Sequence, residues 1–451
     1  MAELAAIVLA AGEGTRMRSS LPKVMHPIGG RPMLGHVLAS ATRAGAARLS
    51  VVIGPDHQGV AAMVAADYPG AAMVTQAERL GTAHAVRAAR DLFSAGTGNV
   101  VVLFGDGPLV RHDTIAAVSA RLEAGADIVV VGFDTPDPTG YGRLLTEGGR
   151  LRAIREHKDA SEAERAVTLC NSGIMGFRAE ALRAIIDRIG NANAKGEFYL
   201  TDAVELANAD GREVAFTTAP ADEVLGVNDR AQLAQAERQF QDLRRQDFMA
   251  AGVTLRDPAT TWLSWDTEIA RDVLIEPSVF IGPGVRIGEG AIIRAFSHLE
   301  GTTIGAGAEI GPFARLRPAA EIGDGAKIGN FVEVKKAEIA AGAKVNHLSY
   351  VGDASIGAKA NLGAGTITCN YDGTNKHRTV IGAGAFIGSN SSLVAPVEIG
   401  EGAFVGSGSV ITEDVPADAL ALGRARQVVK PGHAATLRER ARALKAQKSG
   451  K

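Results

Sequence analysis

Two cysteines in 451 residues, Cys170 and Cys369, stand far apart with no C-x-x-C companion. They exclude a disulfide framework and offer no thiolate metal site, so both read as small buried hydrophobes. Aromatic residues make up only 5% of the chain, and the net charge is −2, so the basic excess that nucleic acid demands is missing. No apolar run reaches the length of a membrane span, and the N-terminus enters a strand-like segment within a few residues, leaving no room for a secretory signal. These absences predict a cytoplasmic protein with neither a nucleic-acid partner nor a membrane span. What is abundant is glycine, 54 residues, many of them in the last two-fifths. The length exceeds one ordinary core, and the glycine asymmetry marks a second architecture.

From Ala5 to about Val227, short apolar segments at 6–10, 49–54, 72–75, 100–104 and 127–133 alternate with amphipathic ones at 33–44, 56–66, 82–92 and 114–124. That alternation predicts an α/β domain with a mainly parallel, doubly wound, Rossmann-like sheet and a ligand site beyond the carboxyl ends of its strands. Residues 229–250 contain neither Gly nor Pro until Ala250 and open on Asp229, a capping residue, so they predict a connecting helix.

Beyond it the period becomes six. Ile275, Ile281, Ile287 and Ile293 follow it, then Ile304, Ile310, Leu316, Ile322, Ile328 and Val334, then Ile381, Ile387, Leu393, Ile399, Val405 and Ile411. No α-helix has that repeat; it suits one side of a three-sided parallel β-helix, with the aliphatic residue pointing inward and glycine turning the corner. The register breaks between Ile293 and Ile304, between Val334 and Ile339, and around 370–380. The last two lie beside K-K-A-E and C-N-Y-D-G-T-N-K, which are expected to be loops projecting from one face. A basic tail, 426–451, ends in a stretch from Ala434 expected to be a fraying helix.

Chemistry concentrates at the predicted rim. L-A-A-G-E-G-T-R-M-R after the first strand reads as a phosphate loop, in which Gly12 and Gly14 can take positive φ and Arg16 and Lys23 supply positive charge. Its spacing is neither G-x-G-x-x-G nor G-x-x-x-x-G-K-[ST], and taken alone it equally describes a tight solvated turn. Asp106 in F-G-D-G-P-L ends a strong strand, where a carboxylate can hold magnesium or merely cap a turn; sharing the rim with Gly12, Arg16 and Lys23 favours the metal, with Asn228 as a neutral oxygen ligand. Gln76, Gly81 and Thr82 can read a base or ribose, or simply start a helix. Gly140, Glu156 and Asn171 form a polar set suited to sugar hydroxyls. In the aliphatic second half, His347 is surrounded in sequence by Asn346, Ser349, Tyr350 and Asn361, which favours a general base over a structural histidine.

The segments L-A-A-G-E-G-T-R-M, L-P-K, Q-A-E-R-L-G-T, G-D-G-P-L, D-P-T-G-Y-G-R, E-H-K-D, N-S-G-I and G-V-N-D-R occur in the order seen in sugar-nucleotide pyrophosphorylases. With G-P-F-A-R-L-R-P, G-N-F-V-E-V-K-K-A, H-L-S-Y-V-G-D, N-L-G-A-G-T-I-T-C-N-Y-D-G-T-N-K and I-G-S-N, the chain resembles, nearly end to end, the bacterial bifunctional N-acetylglucosamine-1-phosphate uridylyltransferases and glucosamine-1-phosphate acetyltransferases. The resemblance implies a nucleotidyltransferase domain at 1–228, a linker helix at 229–250, a left-handed β-helix acetyltransferase domain at 251–425 and the tail. It further implies acetyl transfer from acetyl-CoA to glucosamine-1-phosphate, then uridylyl transfer from UTP, feeding peptidoglycan and lipopolysaccharide synthesis in a homotrimer with shared acetyl sites.

By the same resemblance, Asp106 and Asn228 would hold Mg2+ and Arg16 and Lys23 would bind phosphates. Leu9, Ala10, Ala11, Gly12, Lys23, Gln76, Gly81, Thr82, Gly140, Glu156, Asn171 and Asn228 would line the UDP-N-acetylglucosamine site. His347 would be the acetyltransferase base, with Arg317, Lys335, Tyr350, Asn361 and Lys376 around the amino-sugar phosphate. Ala364, Asn370, Tyr371, Ser389, Ser407 and Arg424 would line the acetyl-CoA site. The sequence departs from the family at Phe104, where Tyr is expected, and at Val345-Asn346, where small residues are expected; the tail after Arg424 matches poorly. Two other readings stay open: a pyrophosphorylase for another sugar nucleotide with a structural or regulatory β-helix, and a non-catalytic sugar-nucleotide sensor.

Overall fold

Strand Leu4–Ala10 is apolar along nearly its whole length because it lies between two other strands, pairing in parallel with Ala46–Ile53 on one side and Asn99–Phe104 on the other. The computed structural model describes residues 2–94 and 98–449. Contacts divide these into two compact units, one of residues up to Phe248 together with Trp262–Asp266, the other of the remainder.

The first unit is built on a nine-stranded sheet whose main path runs Val214–Thr218, Ile128–Asp134, Leu169–Arg178, Asn99–Phe104, Leu4–Ala10, Ala46–Ile53, Ala72–Thr75. All but one of the seven are parallel. Leu169–Arg178 runs antiparallel to both neighbours and carries the hairpin Arg143–Glu147/Arg150–Arg155 at its Cys170 end. Separate apolar clusters cover the two faces, one around Ile7, Val100 and Phe177, the other around Val8, Leu103 and Phe133, as double winding requires. The helices expected from periodicity form at Met33–Arg43, Gln58–Asp67, Thr82–Ala88 and His112–Glu123. The third is shorter than expected and passes into a 3-10 turn at Arg90–Phe93.

Asp229 caps the long helix Arg230–Ala250, its carboxylate accepting from Gln232 N–H at 2.9 Å. The helix is no free connector. Ala236 and Phe240 are buried against Ile28, Met33, Leu109 and Val227. Leu263 exchanges two hydrogen bonds with the Gln241 side chain (2.7 and 2.8 Å), and the Ser264 hydroxyl and Trp265 N–H both donate to Gly29 O.

The second unit is a solenoid of very short parallel strands in a ten-stranded and a fifteen-stranded sheet. Inward columns of Ile, Leu and Val are almost wholly buried: Ile275, Ile293, Ile310, Ile328, Val345 and Leu362 climb one face. Two faces are joined because strands Glu333–Ile339 and Tyr350–Ile356 continue round a corner, with Lys336 and Asp353 at positive φ. This corrects the expectation at K-K-A-E, which lies inside a continuous strand. The break there is a five-residue step round a tight corner, and Leu299 likewise carries the hexad onward before the step to Ile304. Residues 370–378 do leave the coil, closed by a bridge between Tyr371 and Lys376. Cys170 is a buried free thiol, whereas Cys369 is only half-buried. The tail helix spans His433–Ser449; Gly450 and Lys451 lie outside the described residues.

Candidate active sites

In the first unit, the phosphate loop leaves Leu4–Ala10 and turns at Gly14. This glycine is required twice: its φ is +63°, and a Cβ there would lie 2.5 Å from Lys23 Cβ. Lys23 is thereby brought onto Asp106, forming an ion pair, while its ammonium also donates to Asn228 Oδ1 at 3.2 Å. Side-chain exposures of 12% and 18% for Lys23 and Asp106 make this a sheltered pair. Gly12, by contrast, does not use positive φ; it leaves open space beside the loop. Arg16 sits exposed in a 3-10 turn, Thr15–Met17, outside the cleft wall.

Two clefts meet at Phe104 and Asp106. One, of about 480 Å³, is walled by Leu9 to Gly12, Gln76, Gly81 and Thr82. The buried Gln76 amide donates to Gly81 O at 3.2 Å, and Gly81, at φ +115°, lies so close to Phe198 that a Cβ would meet its backbone at 2.6 Å. The Thr82 hydroxyl is committed to Leu200 N–H at 2.9 Å. The other cleft, of about 210 Å³, holds Tyr141, Ser172, Gly226 and Asn228. Around it, Gly142 O accepts from Asn171 N–H at 2.8 Å, and a Cβ on Gly142 would lie 3.2 Å from Glu156 Oε1. Gly140, Glu156 and Asn171 thus belong to adjoining segments. Burial pushes the Glu156 carboxyl up, opposed by Lys195, which lines the larger cleft. The Phe104 ring lies against Gly173, where a Cβ would come within 2.7 Å. Sequence reading missed Arg79, which ties the loop by donating to Ala11 O (2.8 Å) and Glu13 (2.6 Å).

Among the described residues no group of three or more His, Cys, Asp or Glu side chains could hold a metal. Asp106 and Asn228 supply two oxygens, which suits magnesium because it keeps water and substrate phosphate oxygens. Both oxygens converge on the Lys23 ammonium.

In the solenoid, His347 ends strand Lys344–His347, and its Nδ1 meets Asn330 Oδ1 one coil below at 2.7 Å. An amide oxygen only accepts, so Nδ1 is the donor in this hydrogen bond. Asn330 was not anticipated, although the coil register places it opposite His347. Above His347 the same corner climbs coil by coil: Gly365 N–H donates to His347 O (3.1 Å), Asn390 to Ala364 O (2.7 Å), Gly408 to Ser389 O (2.8 Å), and Arg424 Nη1 to Ser407 O (2.8 Å). Ala364, Ser389, Ser407 and Arg424 therefore line one edge starting at His347. Gly329 accommodates Asn346, whose carbonyl would lie 1.8 Å from a Cβ there.

The sugar-phosphate candidates are not all gathered at that edge. Tyr350 begins the adjoining face, and Asn361 pairs with Lys344. Arg317, paired with Glu333 at 2.8 Å, and Lys335 lie toward the far end of the face. At the next corner a cleft of about 450 Å³ contains Lys336, Asp353 and Lys376. Lys376 stacks over Tyr371 (4.6 Å), and Asn370 donates to Asp353. The N–H of Asn375, His377 and the N–H of Thr374 hold the Asp372 carboxyl well below the usual carboxylate range, ordering the projecting loop.

Residues 6–171 match the MobA-like NTP transferase domain family, and 266–301, 301–336 and 378–413 match the six-repeat bacterial transferase hexapeptide family. The Bifunctional protein GlmU of Azorhizobium caulinodans is 60% identical over 435 residues, 96% of this chain and 97% of that one. Its namesake from Agrobacterium fabrum is 56% identical over 440 residues (98% and 97%), and that from Xanthobacter autotrophicus 58% over 435 (96% and 97%). The chain belongs to the bifunctional GlmU family. It is a uridylyltransferase and acetyltransferase of UDP-N-acetylglucosamine synthesis, an α/β nucleotidyltransferase unit followed by a left-handed hexapeptide β-helix.

Proposed function

We propose that Lys23, Asp106 and Asn228 form the centre of uridylyl transfer. The observation that carries this is the meeting of one ammonium, one carboxylate and one amide oxygen where the two clefts join. The larger cleft takes UTP, with Gln76, Gly81 and Thr82 at the uracil end; Gly140, Glu156 and Asn171 hold the sugar. A phosphate oxygen of N-acetylglucosamine-1-phosphate attacks the α-phosphorus of UTP, the bond to the bridging oxygen breaks, and pyrophosphate leaves. The nucleophile is already anionic, so no base is needed. Lys23, with Arg16 swinging in from its exposed turn, offsets charge developing on the phosphates. Magnesium held by Asp106 and Asn228 would add charge neutralisation at the same oxygens.

In the solenoid, Nε2 of His347 takes a proton from the glucosamine ammonium so that the nitrogen can attack the acetyl-CoA thioester, releasing the thiol. The ladder from Ala364 to Arg424 accommodates the extended donor, with Arg424 at the phosphate end and Asn370 and Tyr371 beside it. Arg317, Lys335, Tyr350, Asn361 and Lys376 bind the amino-sugar phosphate. Because they spread over two faces and the projecting loop of one solenoid, the site is completed by neighbouring chains in a homotrimer. Supporting that assembly, Phe296, Phe313 and Phe331 stack along the edge below His347 and continue to Leu348, at exposures from 45% for Phe313 to 62% for Leu348. We place the enzyme in the cytoplasm, where both donors are available, and assign the activities to 1–228 and 251–425, with 229–250 between them and 426–451 as tail.

One tube containing glucosamine-1-phosphate, acetyl-CoA, UTP and magnesium, analysed by mass spectrometry, should yield UDP-N-acetylglucosamine, pyrophosphate and free CoA. Light scattering at micromolar concentration should give three times the monomer mass.

A further inference from the structure

Arg143 is among the largest fully buried side chains, 1% exposed, and among the described residues its guanidinium has no carboxylate at ion-pair distance. A buried cation without a counter-ion is expensive, and a hydrophobe of similar volume is commonly neutral or better. The charge is instead satisfied by what it holds.

Arg143 Nη1 donates to Tyr141 O and to His157 Nδ1 (3.2 Å), and Nη2 donates to Arg165 O (3.3 Å). Nε has no partner. The three acceptors belong to three separate segments of the chain, at 141, 157 and 165. Tyr141 lines that cleft beside Asp106 and Asn228 and follows Gly140. His157 follows Glu156, and its carbonyl accepts from Arg165 Nε at 3.3 Å, closing the ring of contacts. Arg143 itself pairs through its backbone with Cys170, the residue before Asn171, and with Arg155, the residue before Glu156.

We infer that Arg143 is a positioning residue for the sugar: its buried guanidinium fixes Gly140, Glu156 and Asn171 relative to one another, so that it sets affinity for the N-acetylglucosamine moiety while leaving the nucleotide cleft alone. The larger cleft, which includes 9–12, 76 and 81–82, contains none of the three residues that accept hydrogen bonds from the Arg143 guanidinium. The inference rests on the proposal that those three residues take the sugar.

The test is calorimetric titration of the full-length protein with UDP-N-acetylglucosamine and, separately, UTP, for Arg143→Lys and Arg143→Met. Lysine keeps the charge but cannot span three acceptors. Both variants should bind UDP-N-acetylglucosamine about tenfold or more weakly and raise the KM for N-acetylglucosamine-1-phosphate, with UTP binding and acetyl transfer unchanged. Equal weakening of both ligands, unchanged UDP-N-acetylglucosamine binding, or failure of both variants to fold at 25 °C would overturn the inference in favour of a purely structural cation. Glu156→Gln and Asn171→Ala separate the two claims. If neither weakens UDP-N-acetylglucosamine, the sugar assignment fails and the inference with it; if they do and Arg143→Lys does not, only the role of Arg143 fails.

Discussion

Lys23 and Asn228 lie 205 positions apart in sequence and 3.2 Å apart in space, whereas Asn330 and His347 are separated by 17 positions and 2.7 Å. The sheet unit gathers its polar groups from loops far apart along the chain, so its centre exists only when the whole unit has folded. The solenoid reaches the same density of polar groups by translation: each coil sets a residue above its counterpart in the previous coil. A convergent centre concentrates its charge and is lost with one side chain. A translated one spreads its contacts along an edge.

The largest effect that would sharpen this contrast comes from Asp106→Ala. Uridylyl transfer should fall by about 10³-fold or more while CoA release from acetyl-CoA continues at the wild-type rate; equal loss of both activities in folded protein would break the separation. Next, His347→Ala should lower acetyl transfer by about 10²-fold with little change in KM, and the rise of rate with pH seen in the wild type should flatten in the variant. A folded variant with the wild-type rate would remove the base from this residue.

Acid should distinguish the units thermodynamically. Burial depresses the His36 imidazole to about 4, with its ring against Phe240 and Nε2 donating to Ile28 O. The folded state therefore favours the neutral form, and stability is present above the unfolded value near 6.5 and lost as pH falls from there toward 4. That loss is up to about 3 kcal/mol. Glu156 acts in the opposite direction: its raised carboxyl costs stability as pH climbs above the ordinary glutamate range, so Glu156→Gln should melt higher than wild type at pH 7. Both tryptophans, Trp262 and Trp265, belong to the sheet unit, so their fluorescence reports its unfolding. A midpoint independent of pH between 6.5 and 4 would contradict the His36 account.

The smallest effect concerns where the sheet unit ends. A fragment stopping at Arg245 leaves buried Gln241 without Leu263 and Gly29 O without Ser264 and Trp265. Relative to a fragment ending at Asp266, it should lose about 2 kcal/mol, or about 4–8 °C in Tm. Equal melting would show the return segment to be dispensable.

The parallel core of the sheet and the solenoid were legible because both write their burial into short periods: apolar runs such as Ile7 to Ala10, and an inward aliphatic residue at each sixth position. The hairpin at 143–155 and strand Leu169–Arg178 escaped because they break the strand–helix alternation and pair antiparallel. Asp106 and Asn228 could be grouped because one follows a strand and the other precedes the cap Asp229, and Lys23 because it adds positive charge just after the phosphate loop. Arg143 could not, since nothing in G-Y-G-R shows that its side chain turns inward to His157 and Arg165. The projecting loop at 370–378 was legible from its polar composition. The step at Lys336 was misjudged, because a shortened hexad looks the same in sequence whether the chain loops out or turns a tighter corner.

Stacked coils are spaced by about 4.8 Å, the distance between hydrogen-bonded strands. From His347 through Ala364, Ser389 and Ser407 to Arg424, the edge is therefore a ruler with fixed graduations. Were the proposed acetyl-CoA site to lie along this edge, the length of donor it takes would be a counted quantity, changed by adding or removing a whole turn of chain, and a carrier with a longer or shorter tether would set its phosphates one graduation away from Arg424.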